Sequence, residues 1–316
     1  MMEPWSVLVV DDMHQSIVPL LKDIGLRVSY QPFITAEDVL LQVPYYEGIV
    51  VRSKLKLDSN FFALARKLRF VARAGAGVDN IDLVAADAHK VAVCHAAEGN
   101  RDAVAEHTMG LALSLTNKIV QGHNQVVKGE WNRMANRGTE ISEKVFALIG
   151  YGNMGQAVAR RLQGFGCQVI AYDKYLTDWP DTNSVPATLE QVFAYADFVS
   201  LHIPLTPETR GMANANFFAQ FAKPVCFLNT ARGEIVPLPD LLYAIKSGRV
   251  VAAGLDVLEN ERFDEHLKID KVLYQALAAT QKVIFTPHVA GWTVESYEKI
   301  NHVLAGKIKS FLTLGT

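Results

Sequence analysis

Short apolar runs recur along this chain, separated by amphipathic stretches of helical period. In the first hundred residues the runs fall at 5–10, 26–30, 48–52, 69–73 and 91–94. They are too short for helices and rich in Val, Ile and Leu, as strands covered on both faces are. Residues 14–24, 36–42, 59–67 and 80–89 carry the helical patterns between them. Five βα-type units of this kind predict a small doubly wound sheet. A long helical pattern follows over 100–119, with Val104, Thr108, Leu111 and Leu115 at helical spacing, and Asn100 or Asp102 stands where a cap would. After a loop-like stretch near 129–142, six further runs appear at 145–149, 168–172, 197–201, 225–229, 251–255 and 283–286. The last helical pattern, 294–311, has no strand after it.

The run Val145–Ile149 breaks into Gly150-Tyr-Gly152-Asn-Met-Gly155 and then into an amphipathic stretch, and Asp173 lies eighteen residues past the last glycine. Strand, glycine turn, helix, second strand and acid fall in the order of a dinucleotide-binding βαβ unit. Gly150 suits a tight turn, Gly152 lets backbone approach a pyrophosphate, and Gly155 lets the helix pack on the strand. The helix N-terminus attracts the phosphate charge. Asp173 is placed to accept from ribose hydroxyls and would repel a 2′-phosphate, which favours NAD over NADP; Lys174 beside it softens that preference.

The predicted class is therefore α/β with two doubly wound parallel sheets. A flavodoxin-like substrate-binding domain is expected from 1–98 and 290–316, and a Rossmann NAD-binding domain from 99–289. The chain would then cross twice between domains, leaving a hinge on either side of a cleft.

Composition narrows the class. Lys and Arg number 31 against 33 Asp and Glu, a net charge of −2, so no general attraction to nucleic acid or an acidic membrane is expected. An anionic substrate would need local arginines. Cys94, Cys167 and Cys226 sit in or beside apolar runs and read as reduced core thiols. The chain enters its first strand without a basic leader, and no apolar stretch reaches membrane-spanning length. A cytoplasmic protein without a structural metal is expected.

Ligands of open α/β sheets gather at the carboxyl ends of strands, and unusual polar residues stand there. Arg52 ends the run at 48–51, and Arg73 leads into Gly75-Ala-Gly77-Val-Asp79. Arg232 follows 225–231, Asp256 follows 251–255, and His288 follows 283–287. Glycines at 75 and 77 would bare N–H groups for a carboxylate. Arg232 suits a planar fork to a carboxylate or carbonyl. His288 is the side-chain type that exchanges a proton near neutrality. Glu261, in a polar loop, is its natural partner and would favour imidazolium and fix the ring.

These residues resemble the D-isomer-specific 2-hydroxyacid dehydrogenase family. The likeness rests on R-A-G-A-G-V-D-N (73–80), V-A-E-H-T (104–108), the glycine motif, L-H-I-P-L-T-P-E-T-R-G-M (201–212), N-T-A-R-G-E-I-V (229–236), A-G-L-D-V-L-E-N-E (253–261) and T-P-H-V-A-G-W-T (286–293). It implies that Arg232 orients the substrate, that His288 is the acid/base and that Glu261 supports it. It implies that Asp256 holds the nicotinamide carboxamide, with Asn153 and Met154 near the pyrophosphate. His202, Pro204, Thr209, Thr230 and Ala231 would line the rest of the coenzyme site. Backbone groups of Ala76, Gly77 and Val78 would meet the substrate carboxylate, with Asn100 beside them. The helix 100–119 would form a homodimer.

Within the family the likeness leans to the type acting on 3-phosphoglycerate in serine biosynthesis. Arg52 and Arg73 would then face the phosphate, joined by Arg133 from a neighbouring subunit. The alternatives are a glyoxylate/hydroxypyruvate or broad 2-oxo-acid reductase, and an NAD-sensing corepressor-like protein. Three positions depart from the pattern the resemblance implies: Arg262 replaces the family's usual proline, Glu98 a small residue, and Trp292 a serine more typical of the phosphoglycerate type. The chain ends soon after its last helix, so control through a C-terminal regulatory domain is not expected.

Overall fold

The structure, a computed structural model, describes residues 4–261 and 268–314. The chain divides into two compact units, residues 1–101 with 292–316, and residues 102–291. The predicted Arg262 departure lies outside the described residues.

In the first unit, β1 (Ser6–Val9), β2 (Arg27–Tyr30), β3 (Gly48–Val51), β4 (Phe70–Arg73) and β5 (Ala92–His95) form one parallel sheet of order β2-β1-β3-β4-β5. Alternation explains its stability. Leu8, Ile49, Val51 and Val71 face one apolar layer, while Val7, Val9, Val50, Phe70 and Ala72 face the other. The C-terminal helix Val294–Leu314 closes the second layer with Ile300, Leu304 and Ile308. Side-chain caps start the helices Ala36–Gln42, Ser59–Leu64 and Leu83–Ala88, through Thr35, Asp58 and Asp82.

The second unit holds β6 (Val145–Ile149), β7 (Gln168–Tyr172), β8 (Val185–Pro186), β9 (Phe198–Leu201), β10 (Val225–Asn229), β11 (Val250–Leu255) and β12 (Val283–Phe285). Their order is β12-β11-β10-β9-β6-β7-β8, parallel throughout. The predicted class, two doubly wound parallel sheets, is what forms. One strand more than predicted appears: β8 is two residues at the sheet edge, too short for a periodic signal, and its proline fits an edge. The chain turns one way from β6 to β7 and the other way from β7–β8 to β9, so a switch point lies between β6 and β9.

The long helix differs from its prediction at both ends. It runs Ala97–Thr116, so Asn100 and Asp102 lie within it and cap nothing. Asp102 instead pairs with Arg160 and Arg161 at 2.9 and 3.1 Å. Lys118 takes a left-handed φ of 52° and begins a separate helix, Ile119–Val127.

Candidate active site

The glycine turn sits at the switch point, between β6 and the helix Asn153–Leu162. Gly150 has φ +96°, and a Cβ there would meet the His202 carbonyl at 2.5 Å. A Cβ on Gly155 would meet the Gly150 carbonyl oxygen at 2.2 Å, so helix and turn touch backbone to backbone. Gly152 caps the helix with an ordinary φ of −78°, and nothing lies within 4 Å of where its Cβ would stand. The first and third glycines are thus demanded by the fold. The second keeps open space beside a helix N-terminus, as a pyrophosphate cradle requires. Asp173 follows β7, and its carboxylate accepts the Tyr151 N–H at 2.8 Å and the Tyr175 N–H at 3.0 Å. It pins the turn while keeping lone pairs for a diol.

His202 ends β9. Its Nε2 lies 2.9 Å from Ser200 Oγ, while its buried Nδ1 has no partner among the described residues. Burial lowers its pKa to about 4. Thr209 Oγ1 donates to the Pro204 carbonyl at 2.7 Å and accepts the Thr206 N–H at 2.8 Å, tying off the 204–209 turn. Thr230 Oγ1 lies 3.1 Å from Thr108 Oγ1, and the Ala231 N–H donates to Asn229 Oδ1 at 3.0 Å.

Three neighbouring strands, β10, β11 and β12, deliver Arg232, Glu261 and His288 from their carboxyl ends. His288 Nδ1 lies 2.8 Å from Glu261 Oε2, and both side chains are nearly half exposed. The Arg232 guanidinium donates to the Ala231 carbonyl at 2.6 Å. A Cβ at Gly233 would stand 1.9 Å from the Leu258 carbonyl. Only glycine lets the Arg232 loop lie against the loop leading to Glu261.

His288 has φ +54°, a left-handed conformation uncommon outside glycine and asparagine. Asp256, almost fully buried, holds it there. Its carboxylate accepts Thr286 Oγ1 at 2.6 Å, the Val289 N–H at 3.0 Å and the Ala290 N–H at 2.8 Å. The His288 N–H donates to the Asp256 carbonyl at 2.8 Å. His107 Nε2 joins the same network, 2.9 Å from Thr286 Oγ1 and 3.5 Å from Asp256.

Sequence reading assigned no role to His107, Thr286 or Asn229. Asn229, fully buried, clamps its own turn by donating to the Arg232 carbonyl at 2.9 Å. Buried polar residues inside apolar runs were the available signal, since such groups must be hydrogen-bonded.

In the first unit, Arg52 and Arg73 stand at the ends of paired strands, with Arg73 in register with Val51. Gly75 has φ +145°, and its N–H is taken by the Arg73 carbonyl at 3.0 Å, so it is not bared as the sequence suggested. The N–H groups of Ala76, Gly77 and Val78 donate to no group among the described residues. The Asn100 amide oxygen is buried without a partner among them. Glu98 forms an ion pair with Lys307 at 2.7 Å. Burial pushes the Glu98 carboxyl up, but the Lys307 hydrogen bond and charge outweigh it and the net shift is downward. The acid that departs from the family pattern is thus neutralised locally. Arg133 is exposed on the second unit.

Residues 109–290 match the family model described as D-isomer specific 2-hydroxyacid dehydrogenase, NAD binding domain. The chain is 35% identical over 304 residues to the D-3-phosphoglycerate dehydrogenase of Sus scrofa, covering 95% of this chain and 55% of that one. This chain belongs to the D-isomer-specific 2-hydroxyacid dehydrogenase family. The D-3-phosphoglycerate dehydrogenase of Methanocaldococcus jannaschii is 33% identical over 310 residues, covering 97% of this chain and 57% of its own. The chain therefore spans about half the length of the curated relatives it matches. Among solved structures, a D-lactate dehydrogenase from Aquifex aeolicus complexed with NAD and lactic acid aligns with a TM-score of 0.81 at 26% identity, covering 97% of this chain and 95% of that one. The glycine turn, Asp173, Arg232, Glu261 and His288 all lie within the matched NAD-binding domain. No helix among the described residues is long and apolar enough to cross a membrane.

Proposed function

We propose that this chain is an NAD-dependent dehydrogenase interconverting a D-2-hydroxy acid and its 2-oxo acid, with 3-phosphoglycerate and 3-phosphohydroxypyruvate as the pair. The observation that carries the reading is the His288–Glu261 pair at 2.8 Å, set beside the Arg232 loop on three adjacent strand ends.

Gly150, Gly152 and Gly155, with the N–H groups of Asn153 and Met154, would hold the pyrophosphate, and Asp173 the adenosine ribose. His202, Pro204, Thr209, Thr230 and Ala231 would border the rest. When bound, the nicotinamide supplies or accepts the hydride. Asp256 keeps at most one acceptor site for the carboxamide, because its other lone pairs hold the His288 turn.

In the reducing direction Arg232 would draw the carboxylate and carbonyl oxygen of the acid into a fork and polarise the carbonyl. His288 would donate a proton from Nε2 as the alcohol forms, and take it back in reverse. Glu261, accepting from Nδ1, would fix the tautomer and the ring orientation. The open N–H groups of Ala76, Gly77 and Val78, with Asn100, suit the substrate carboxylate. Arg52, Arg73 and a partner subunit's copy of Arg133 suit a phosphate, which needs several donors charged at any working pH.

The test is a steady-state comparison of 3-phosphoglycerate, glycerate, lactate and glyoxylate with their redox partners. The reading predicts the highest kcat/KM for the phosphorylated pair. Binding of NADH without turnover of any 2-oxo acid would remove it. The likeness to a D-lactate dehydrogenase supports a second reading, a broad 2-oxo-acid reductase, in which the phosphorylated acid holds no advantage.

A further inference from the structure

Trp292 is a large aromatic residue left 61% exposed. The Arg52 guanidinium carbon lies 5.6 Å from the Trp292 ring centroid and 5.1 Å from the Tyr297 ring centroid. Both distances fall within cation–π range. Tyr297 is fixed in turn, since its hydroxyl donates to Asp12, 2.7 Å from the carbonyl and 3.0 Å from the carboxylate. At the other end, the Arg52 N–H donates to the carboxylate of Asp11, itself 8% exposed, at 2.5 Å. Backbone and guanidinium are therefore both anchored.

The guanidinium carbon lies over both rings, a contact that uses the charge of the cation and none of its N–H donors. Among the described residues no carboxylate or carbonyl accepts from the Arg52 guanidinium. A flexible arginine loses much rotamer freedom when it binds an anion, and one already held by two rings loses less.

We propose that Trp292 and Tyr297 form an aromatic clamp that preorganises Arg52 as a fork for the second anionic group of the substrate, an oxyanion of the phosphate class. Trp292 is in this sense a positioning residue and a determinant of specificity. The assignment rests on the phosphorylated-acid reading above and sharpens it, by naming what makes Arg52 selective.

The test has two arms. Steady-state kinetics with NADH and 3-phosphohydroxypyruvate compare wild type, Trp292→Ser and Trp292→Phe. The clamp predicts a five- to tenfold loss in kcat/KM for Trp292→Ser, roughly one partly desolvated cation–π contact, falling in KM rather than kcat. Trp292→Phe, which restores a ring, should recover most of it. The second arm measures inorganic phosphate binding by calorimetry on wild type, Trp292→Ser and Arg52→Ala. Trp292→Ser should weaken it by a similar factor and Arg52→Ala more. If Arg52→Ala weakens phosphate but Trp292→Ser matches wild type, the clamp falls alone. If phosphate responds to both changes but 3-phosphohydroxypyruvate is not reduced, the clamp stands and the substrate reading falls. Indifference of phosphate to Arg52→Ala overturns both.

Discussion

His288 stands on a left-handed backbone held by one buried carboxylate. Asparagine tolerates that conformation well, so His288→Asn removes the proton carrier without disturbing the turn. Turnover should fall by about 10²–10⁴-fold, the usual worth of general acid–base catalysis, with the NADH Kd within about threefold. A large loss of NADH affinity would mean that His288 serves structure. Arg52→Ala and Arg73→Ala should each raise KM for 3-phosphohydroxypyruvate more than for glyoxylate, and parallel loss on both acids would refute the phosphate assignment. His202 gives a pH prediction. Its folded pKa is about 4 against 6.5 for the free side chain, because burial penalises the cation. Between those values the unfolded chain binds more protons, so stability rises with pH across this window. The contribution, on the order of 1–3 kcal/mol, is complete above pH 6.5 and lost as pH falls toward 4. Urea unfolding of wild type and His202→Gln checks this: the variant should lose the slope, and a persistent slope would assign it elsewhere. At this scale the candidate residues were legible, since Arg, Glu and His gathered after strand ends are unusual. The second duty of Asp256, holding the His288 turn, was not legible, because its partners lie thirty or more residues away.

The element around Gly150 separates two kinds of glycine. Gly152→Ala meets nothing within 4 Å and keeps an ordinary φ, so the unliganded protein should melt within a few degrees of wild type. NADH binding should nonetheless weaken by tenfold or more, because the new methyl fills the space for the pyrophosphate. Gly155→Ala strikes the Gly150 carbonyl at 2.2 Å and should cost about 1–3 kcal/mol of stability before any ligand is added. Thermal melts and NADH titrations of both variants decide this, and equal effects on both readouts would erase the distinction. The motif announced its strand, turn and helix in the sequence. Helix ends were less legible: the run to Ala97 and the break at Lys118 depend on contacts that no local pattern carries.

For the whole molecule, the dimer expectation is now best argued from the segment after the long helix. Ala105, Met109, Leu111 and Ala112 of that helix are buried in the second unit's own core. Ile119, Val120, Val126, Val127, Trp131 and Met134 are exposed instead. These exposed apolar side chains follow one another within residues 119–134, and we propose that a second copy of this chain covers them. Sedimentation at micromolar concentration should give a dimer, and Val127→Asp should shift it toward monomer. A monomeric wild type would refute the proposal and remove the shared role of Arg133.

Sequence alone determined the two parallel sheets, the glycine turn and the polar residues that follow the strands. These follow from periodicity, from turns that only glycine can make, and from charged residues gathered where open parallel sheets bind ligands. Tertiary structure decided which residues meet: the His288–Glu261 contact, Asp256 as keeper of the turn, Glu98 quenched by Lys307, and Arg52 against two rings. Those pairings span from 27 to 245 residues of chain, and only the order of strands in each sheet and the packing of the C-terminal helix, which periodicity does not encode, bring them together.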